Sequence, residues 1–236
     1  MTITSAVGGT TDPSPGRHAY DAGTDITIKA IPDAGYGFSH WSGDVSSSEN
    51  PVALFMDKDQ RLRAHFIRQY SLSIAAGEGG TTDPLPAVYA FDRGTRVAIT
   101  AIPDRPFFFN RWNGDVSRTA NPISLNMNAD KSVFADFLRM IYAPLNFSCR
   151  KILNPTSLIE EYINVLAWLT NPDNVNIVKY RIYSIEGELR LLLAELNADI
   201  NLYVHRPINK GQSYTYELAA VNNEGREGAP ARISVE

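Results

Sequence analysis

The feature that most constrains this chain is a long internal repeat. Phe38-Ser39-His40-Trp41-Ser42-Gly43-Asp44-Val45-Ser46 returns as Phe109-Asn110-Arg111-Trp112-Asn113-Gly114-Asp115-Val116-Ser117, so that Trp41 and Trp112 lie 71 residues apart. Residues around both stretches repeat at the same interval without a gap. A unit of this length is close to the smallest that buries a core of its own. Each copy must therefore be a compact small fold, and positions the copies share are positions that fold needs.

The first unit spans 1–68. Gly8-Gly9-Thr10-Thr11-Asp12-Pro13 and Tyr20-Asp21-Ala22-Gly23-Thr24 carry turn chemistry. Between turns the apolar residues alternate. Ile26, Ile28 and Ala30 share one face of a strand, Val52, Leu54 and Met56 a second, and Leu62, Ala64 and Phe66 a third. Asp25, Thr27, Lys29, Arg61, Arg63 and His65 then face water. This is a meander of short strands with one covered face.

The second unit, 69–139, answers position for position. Gly79 to Pro84 matches Gly8 to Pro13, and Val97, Ile99 and Ala101 repeat the first inward row. Ile123, Leu125 and Met127 repeat the second, and Val133, Ala135 and Phe137 the third. Outward positions differ: Asp25 becomes Arg96, Arg63 becomes Phe134, and His65 becomes Asp136. The copies share turns and core, not surface.

The ordered set Gly-Gly-Thr, Tyr/Phe-Asp-x-Gly-Thr, Ala-Ile-Pro-Asp, Trp-x-Gly-Asp-Val-Ser, Asn-Pro and Ala-x-Phe resembles the divergent internalin B-type repeat family over residues 2–139. The resemblance implies two tandem, small, β-rich, β-grasp-like modules of a bacterial secreted or surface protein. It implies no catalysis.

From Met140 the repeat register is lost, and a third unit spans 140–236. Asn164 to Trp168 reads as a strand with Trp168 inward, while the run 155–169 reads equally as a helix, since Ile159, Tyr162, Ile163 and Leu166 are helically spaced. Leu189 to Leu196 has helix-forming composition but is short and follows Gly187. Ile177 to Tyr183 is β by composition and alternation. The run from Ile208 to Asn222 resembles strand F of a fibronectin type III domain, and Trp168 and Tyr180-Arg181-Ile182-Tyr183 are similar to its strands B and C. Tyr214 falls where that family places its tyrosine corner. The resemblance implies a seven-stranded sandwich in which both ambiguous segments are strands. The fold class expected for the whole chain is thus all-β.

Bulk composition is that of a globular protein, 44% hydrophobic and 20% charged. A net charge of −4 gives no reason to expect nucleic acid or an anionic membrane as partner. No apolar run reaches the roughly 18–20 residues that span a bilayer. Met1 leads directly into a strand-like segment, so a signal peptide and anchor are expected outside 1–236. The single cysteine, Cys149, excludes an intrachain disulfide and reads as a small core residue. His18, His40, His65 and His205 are not at zinc-ligand spacing, and the first three become Tyr89, Arg111 and Asp136 in the second copy. No nucleotide-binding glycine motif or nucleophile elbow occurs. Asp44 and Asp115 stand alone in their turns, whereas calcium takes six to eight oxygens, so a turn aspartate bonded to its own backbone is the plainer reading. Neither a cofactor nor a metal is expected.

Trp41 and Trp112 read as core residues with Phe38 and Phe109, with Gly43, Asp44, Gly114 and Asp115 as the turns that place them. The better candidates for an interaction surface are aromatics that the copies do not share: Phe55 opposite Asn126, Phe134 opposite Arg63, and Phe107 with Phe108 opposite Tyr36-Gly37. The expected role is a non-catalytic spacer, display or adhesion segment of an extracellular bacterial protein. It is expected to be monomeric, with a protein or a cell-surface polysaccharide as partner. The alternative is an accessory segment of a secreted polysaccharide-active enzyme. The short joins expected near Arg68-Gln69 and Arg139-Met140 carry no Gly/Ser run, which points to a semi-rigid rod. Solution scattering checks this: a compact globule of this length has a radius of gyration of about 17–18 Å, and the chain is expected to exceed it clearly.

Overall fold

The computed structural model describes residues 1–154 and 160–236. Strands follow one another from end to end, and among the described residues there is no helix. The chain divides into two compact units, Met1–Leu138 and Arg139–Glu236.

In the first unit the strands are β1 (Thr2–Ser5), β2 (Gly9–Asp12), β3 (Gly16–Arg17), β4 (Asp25–Pro32), β5 (Tyr36–Gly43) and β6 (Val52–Phe55), then β7 (Arg61–Ala76). They continue as β8 (Gly80–Asp83), β9 (Ala87–Asp92), β10 (Arg96–Pro103), β11 (Phe107–Gly114), β12 (Ile123–Asn126) and β13 (Lys131–Arg139). The join expected at Arg68-Gln69 is not a link at all, because it lies in the middle of β7. Between Arg61 and Ala76 there is no Gly, Pro, Asn or Asp to break a strand. Leu62, Ala64 and Phe66 also stay in phase with Leu72 and Ile74, so one alternation serves both repeats.

Each half of β7 organises one repeat. Arg61–Ala64 pair parallel with Thr2–Ser5, and Leu62–Arg68 pair antiparallel with β5. Leu72–Ala76 pair parallel with Lys131–Ala135, and Gln69–Ile74 pair antiparallel with β9. The first and last strands of each repeat are therefore parallel neighbours. Three-stranded sheets β2-β4-β6 and β8-β10-β12 complete the two repeats.

The cores match at the 71-residue interval. Ile3, Ile28, Ala30, Trp41, Leu54, Met56 and Ala64 are buried in the first repeat, and Ile74, Ile99, Ala101, Trp112, Leu125, Met127 and Ala135 in the second. Phe38 packs on Trp41 and Phe109 on Trp112, both with ring centroids 5.3 Å apart.

The second unit holds β14 (Leu145–Leu153), β15 (Tyr162–Leu169), β16 (Ile177–Glu186), β17 (Leu189–Asn197), β18 (Leu202–Ile208), β19 (Tyr214–Asn222) and β20 (Ala231–Val235). They form a sheet β14-β15-β18 and a sheet β17-β16-β19-β20. This is the fibronectin type III-like sandwich. Leu166 and Trp168 from one sheet meet Tyr180, Ile182, Tyr216 and Leu218 from the other. Both segments with a helical alternative are strands where described; residues 155–159, which include Ile159, lie outside the described residues. Pairing decides the outcome: β15 is bonded on both sides, and β17 follows β16 while Leu193 and Leu196 reach the core.

The tyrosine corner forms. Asn209 N–H donates to the Tyr214 hydroxyl at 2.9 Å, fastening the β18–β19 connection to the sheet. Tyr214→Phe keeps the ring and removes that acceptor. Chemical denaturation should show a loss of about 0.5–1.5 kcal/mol.

Candidate functional site

The Trp-x-Gly-Asp motif is a latch between β5 or β11 and the closing strand of its repeat. Trp41 and Trp112 are fully buried. Their indole N–H groups donate to the Glu49 carbonyl at 3.0 Å and to the Ala120 carbonyl at 3.2 Å. Gly43 and Gly114 have φ of 118° and 97°, and a Cβ there would stand 2.3 Å from the Arg61 carbonyl oxygen and 2.4 Å from that of Ser132. Only glycine fits. Asp44 Oδ2 then accepts Arg61 N–H at 2.6 Å, and Asp44 N–H donates to the Arg61 carbonyl at 2.9 Å. Asp115 repeats both bonds with Ser132 at the same distances. The aspartates bond backbone, as expected, but it is the backbone of the closing strand and not their own.

The Asn-Pro breaks are used as fully. Asn50 holds both backbone groups of Ala30, at 2.8 and 2.9 Å, and Asn121 both of Ala101, at 2.8 Å each. With its ring buried, the repeated motif presents no sugar-stacking platform, and one oxygen of each exposed aspartate carboxylate is taken up by backbone. Among the described residues no group of three or more His, Cys, Asp or Glu is placed to hold a metal.

The four unshared phenylalanines do not gather into one patch. Phe55 lies on β6 in the first repeat, and Phe107, Phe108 and Phe134 lie on β11 and β13 in the second. Phe55 is 56% exposed, and Phe108 and Phe134 are each 38% exposed. Phe107 covers the Gly79 turn as Tyr36 covers Gly8, so its aromatic character is in fact shared between copies. Phe134 leans over Gly77. Phe55 is the most solvent-facing of the set. Trp168 is a core ring, stacked edge-on against Tyr180 at 5.5 Å.

Sequence reasoning missed three polar groupings, each of which depends on strand register. His40 and His65 are opposite one another on β5 and β7, and their rings stack at 4.4 Å, 3° from parallel. Burial, with His40 and Arg63 nearby, holds the His65 pKa below its usual value. In the second unit, the Tyr216 hydroxyl lies 2.7 Å from Asn164 Nδ2 and 2.8 Å from His205 Nδ1. Burial raises the Tyr216 pKa to about 12. On the β16–β19 face Glu227 lies between Arg181 and Arg190, at 2.9 and 3.1 Å. Burial works against the Glu227 charge, but bonds from Tyr183, Arg181 and Arg190 outweigh it and hold the pKa low. Glu195 and Glu217 compensate the same arginines, so this cluster is closed on itself. Burial also pushes the Cys149 thiol up to about 11, leaving it protonated and unreactive near neutral pH.

The chain belongs to the divergent InlB B-repeat domain family, which matches twice, over residues 1–69 and 70–140. No curated protein matches it. Among solved structures, a β-1,2-glucanase from Parabacteroides distasonis is similar at 15% identity, covering 65% of this chain and 18% of that one, with a TM-score of 0.28. The chain thus spans less than a fifth of the glucanase. A two-domain fibronectin type III segment of chicken tenascin is similar at 11% identity, with 92% and 95% covered and a TM-score of 0.32. The glycoside hydrolase domain of Endo-D from Streptococcus pneumoniae is similar at 12% identity, with 100% and 44% covered and a TM-score of 0.31.

The latch makes a graded prediction. Asp44→Ala removes one exposed acceptor and should cost about 1 kcal/mol. Gly43→Ala adds left-handed backbone strain and a clash with Arg61, and should cost more, about 1–3 kcal/mol from strain alone. Denaturant titration of Asp44→Ala, Asp115→Ala, Gly43→Ala and Gly114→Ala should give that order in both repeats.

Proposed function

We propose that this chain is a non-catalytic, load-bearing spacer segment of a bacterial secreted or cell-surface protein. The observation that carries the reading is the path force would take through the repeats. β1 and the first half of β7 are parallel neighbours, as are the second half of β7 and β13. Tension pulling β1 towards its N-terminus and β13 towards its C-terminus runs along the strands. The hydrogen bonds of each parallel ladder are then loaded together in shear rather than opened one at a time. Between the two ladders the load crosses on one covalent strand, Arg61–Ala76, with no loop to extend.

The use of the repeated residues supports the same reading. Trp41, Gly43, Asp44, Asn50 and their counterparts are all engaged in holding backbone to backbone. Membership of the repeat family and a sandwich of fibronectin type III type fit an extracellular segment. If the segment also displays or adheres, contact with another protein or a polysaccharide falls on faces where the copies differ, with Phe55 the most exposed apolar group among them.

Single-molecule force spectroscopy on the full chain, with Cys149→Ser and cysteine handles introduced in pairs, tests the load path. Handles at positions 1 and 68 load the β1–β7 ladder in shear. Handles at positions 1 and 61 peel the same ladder from one end. The first pair should unfold the repeat at a clearly higher force; equal forces would remove the basis for a load-bearing role.

A further inference from the structure

Two groups of outward arginines in this chain are balanced in opposite ways. On the β16–β17–β19 face Arg181 and Arg190 are each paired with glutamates. On the outer face of the first repeat, Arg63 has no carboxylate within ion-pair distance among the described residues. Strand register builds a compact group around it. Arg63 is opposite Ser42 on β5 and beside Thr4 on β1, and two residues along β7 His65 is opposite His40. These side chains point away from the core, because the alternate residues Leu62, Ala64 and Trp41 are buried.

The imidazoles are held in place but not used up. Ser39 Oγ lies 3.0 Å from His40 Nδ1 and Ser42 Oγ 2.7 Å from His65 Nε2, and among the described residues nothing bonds His40 Nε2 or His65 Nδ1. Burial, then His40 and Arg63, hold the His65 pKa low, so the charges that act on this ring are all positive. Stacked rings beside a guanidinium take up protons readily only when an anion joins them. Arg61 lies further along the same face, and Arg17 is across Thr2 from it. The carboxylates at the rim are Asp44, bonded to the Arg61 N–H, Asp59, and Glu49 on the segment bridged to Trp41 at Ser47. None of them is among the groups acting on His65. The second repeat fills the His65 slot with a carboxylate of its own, Asp136, bonded by Asn110 Nδ2 at 2.6 Å, and has Phe134 in place of Arg63. The first repeat has the cations without the anion.

We propose that Arg63, His65 and His40 bind an acidic group of an anionic polysaccharide, with a grip that tightens as the medium becomes acidic. Arg63 offers the fork of N–H donors that carboxylates and sulfate esters accept bidentately, and each protonated imidazole adds a donor. Thr4 and Ser42 place hydroxyls beside them for the sugar. Arg61 stands about 7 Å from Arg63 along β7, and Arg17 about 10 Å from Arg61 across two strand spacings. A polymer with acidic groups at intervals therefore engages more than one of them. The group contains no aliphatic or large aromatic anchor of the kind that centres a protein interface, which favours a glycan over an acidic protein. This assignment goes beyond the spacer reading and does not rest on it, since the load path runs through backbone ladders and this face through side chains.

The test measures binding of the full chain to dextran sulfate, polygalacturonate, neutral dextran and polyglutamate at matched ionic strength, at about pH 5 and about pH 7.5. An anion that raises two imidazole pKa values by about half a unit each gains about tenfold in affinity on acidification. At least one of the two acidic glycans should show that gain, and which of them binds tighter tells whether a sulfate ester or a carboxylate is read. Neutral dextran should not bind. His40→Gln combined with His65→Gln should abolish the gain, and Arg63→Ser should weaken binding at both pH values, with the fold of each variant checked by denaturant titration. No binding at the lower pH, affinity indifferent to pH, or a gain that the double variant keeps overturns the proposal. Polyglutamate binding as tightly as the acidic glycans also overturns it, because the face would then suit an acidic protein.

Discussion

The first unit depends on one constraint: β7 must stay in phase through two folds at once. A strand that slips by one residue exchanges its two faces. Leu62, Ala64 and Phe66 serve the first core, and Leu72 and Ile74 the second, on the same parity of a single 16-residue strand. A slip in either half would turn the apolar row of that half into water. The register of each repeat is thereby tied to that of its neighbour without any side-chain contact having to pass between the cores. Parallel ladders need a long return connection, and here the return is the rest of the repeat itself, from β2 through β6 and again from β8 through β12.

The latches explain how such small cores keep this topology. A closing strand that must lie between β1 and β5 is fixed at its start by Asp44 on the Arg61 N–H and by the close approach of Gly43. The same region is fixed from inside by a tryptophan whose indole is bonded eight residues further on, at Glu49. Asn50 then clamps β4 from the side. Side-chain bonds to backbone substitute here for area that a repeat of about seventy residues does not have.

Much of this was legible before the structure. Trp41 and Trp112 read as core because identical residues recur where surfaces diverge, and Tyr214 read as a corner because the resemblance to a fibronectin type III domain places one there. What was not legible depends on pairing. The period suggested a boundary near Arg68-Gln69, since a repeat can be cut anywhere along its length; only the register showed that the boundary falls inside a strand. His40 and His65 are far apart in sequence and meet only through the β5–β7 ladder. The Glu227 cluster needs three strands and a loop to converge. Phe107 looked copy-specific because its residue type differs from Tyr36, although both rings cover the same glycine turn.

The divergence of the surfaces follows from the same physics. The slot that holds the stacked pair His40 and His65 in the first repeat holds Arg111 and Asp136 in the second, where Asn110 Nδ2 bonds the Asp136 carboxylate at 2.6 Å. Beneath both slots lie the same inward positions, Trp41 with Ala64 and Trp112 with Ala135, all fully buried. A cross-strand pair on the outer face contributes only about 0.2–1 kcal/mol, whereas a large-to-small change below it costs several. Selection on the fold therefore holds the inner row and leaves the outer row free to change charge, aromaticity and hydrogen bonding. A duplicated unit of this design keeps one scaffold and carries two different faces, and any recognition that distinguishes the copies has to be written in the outer row.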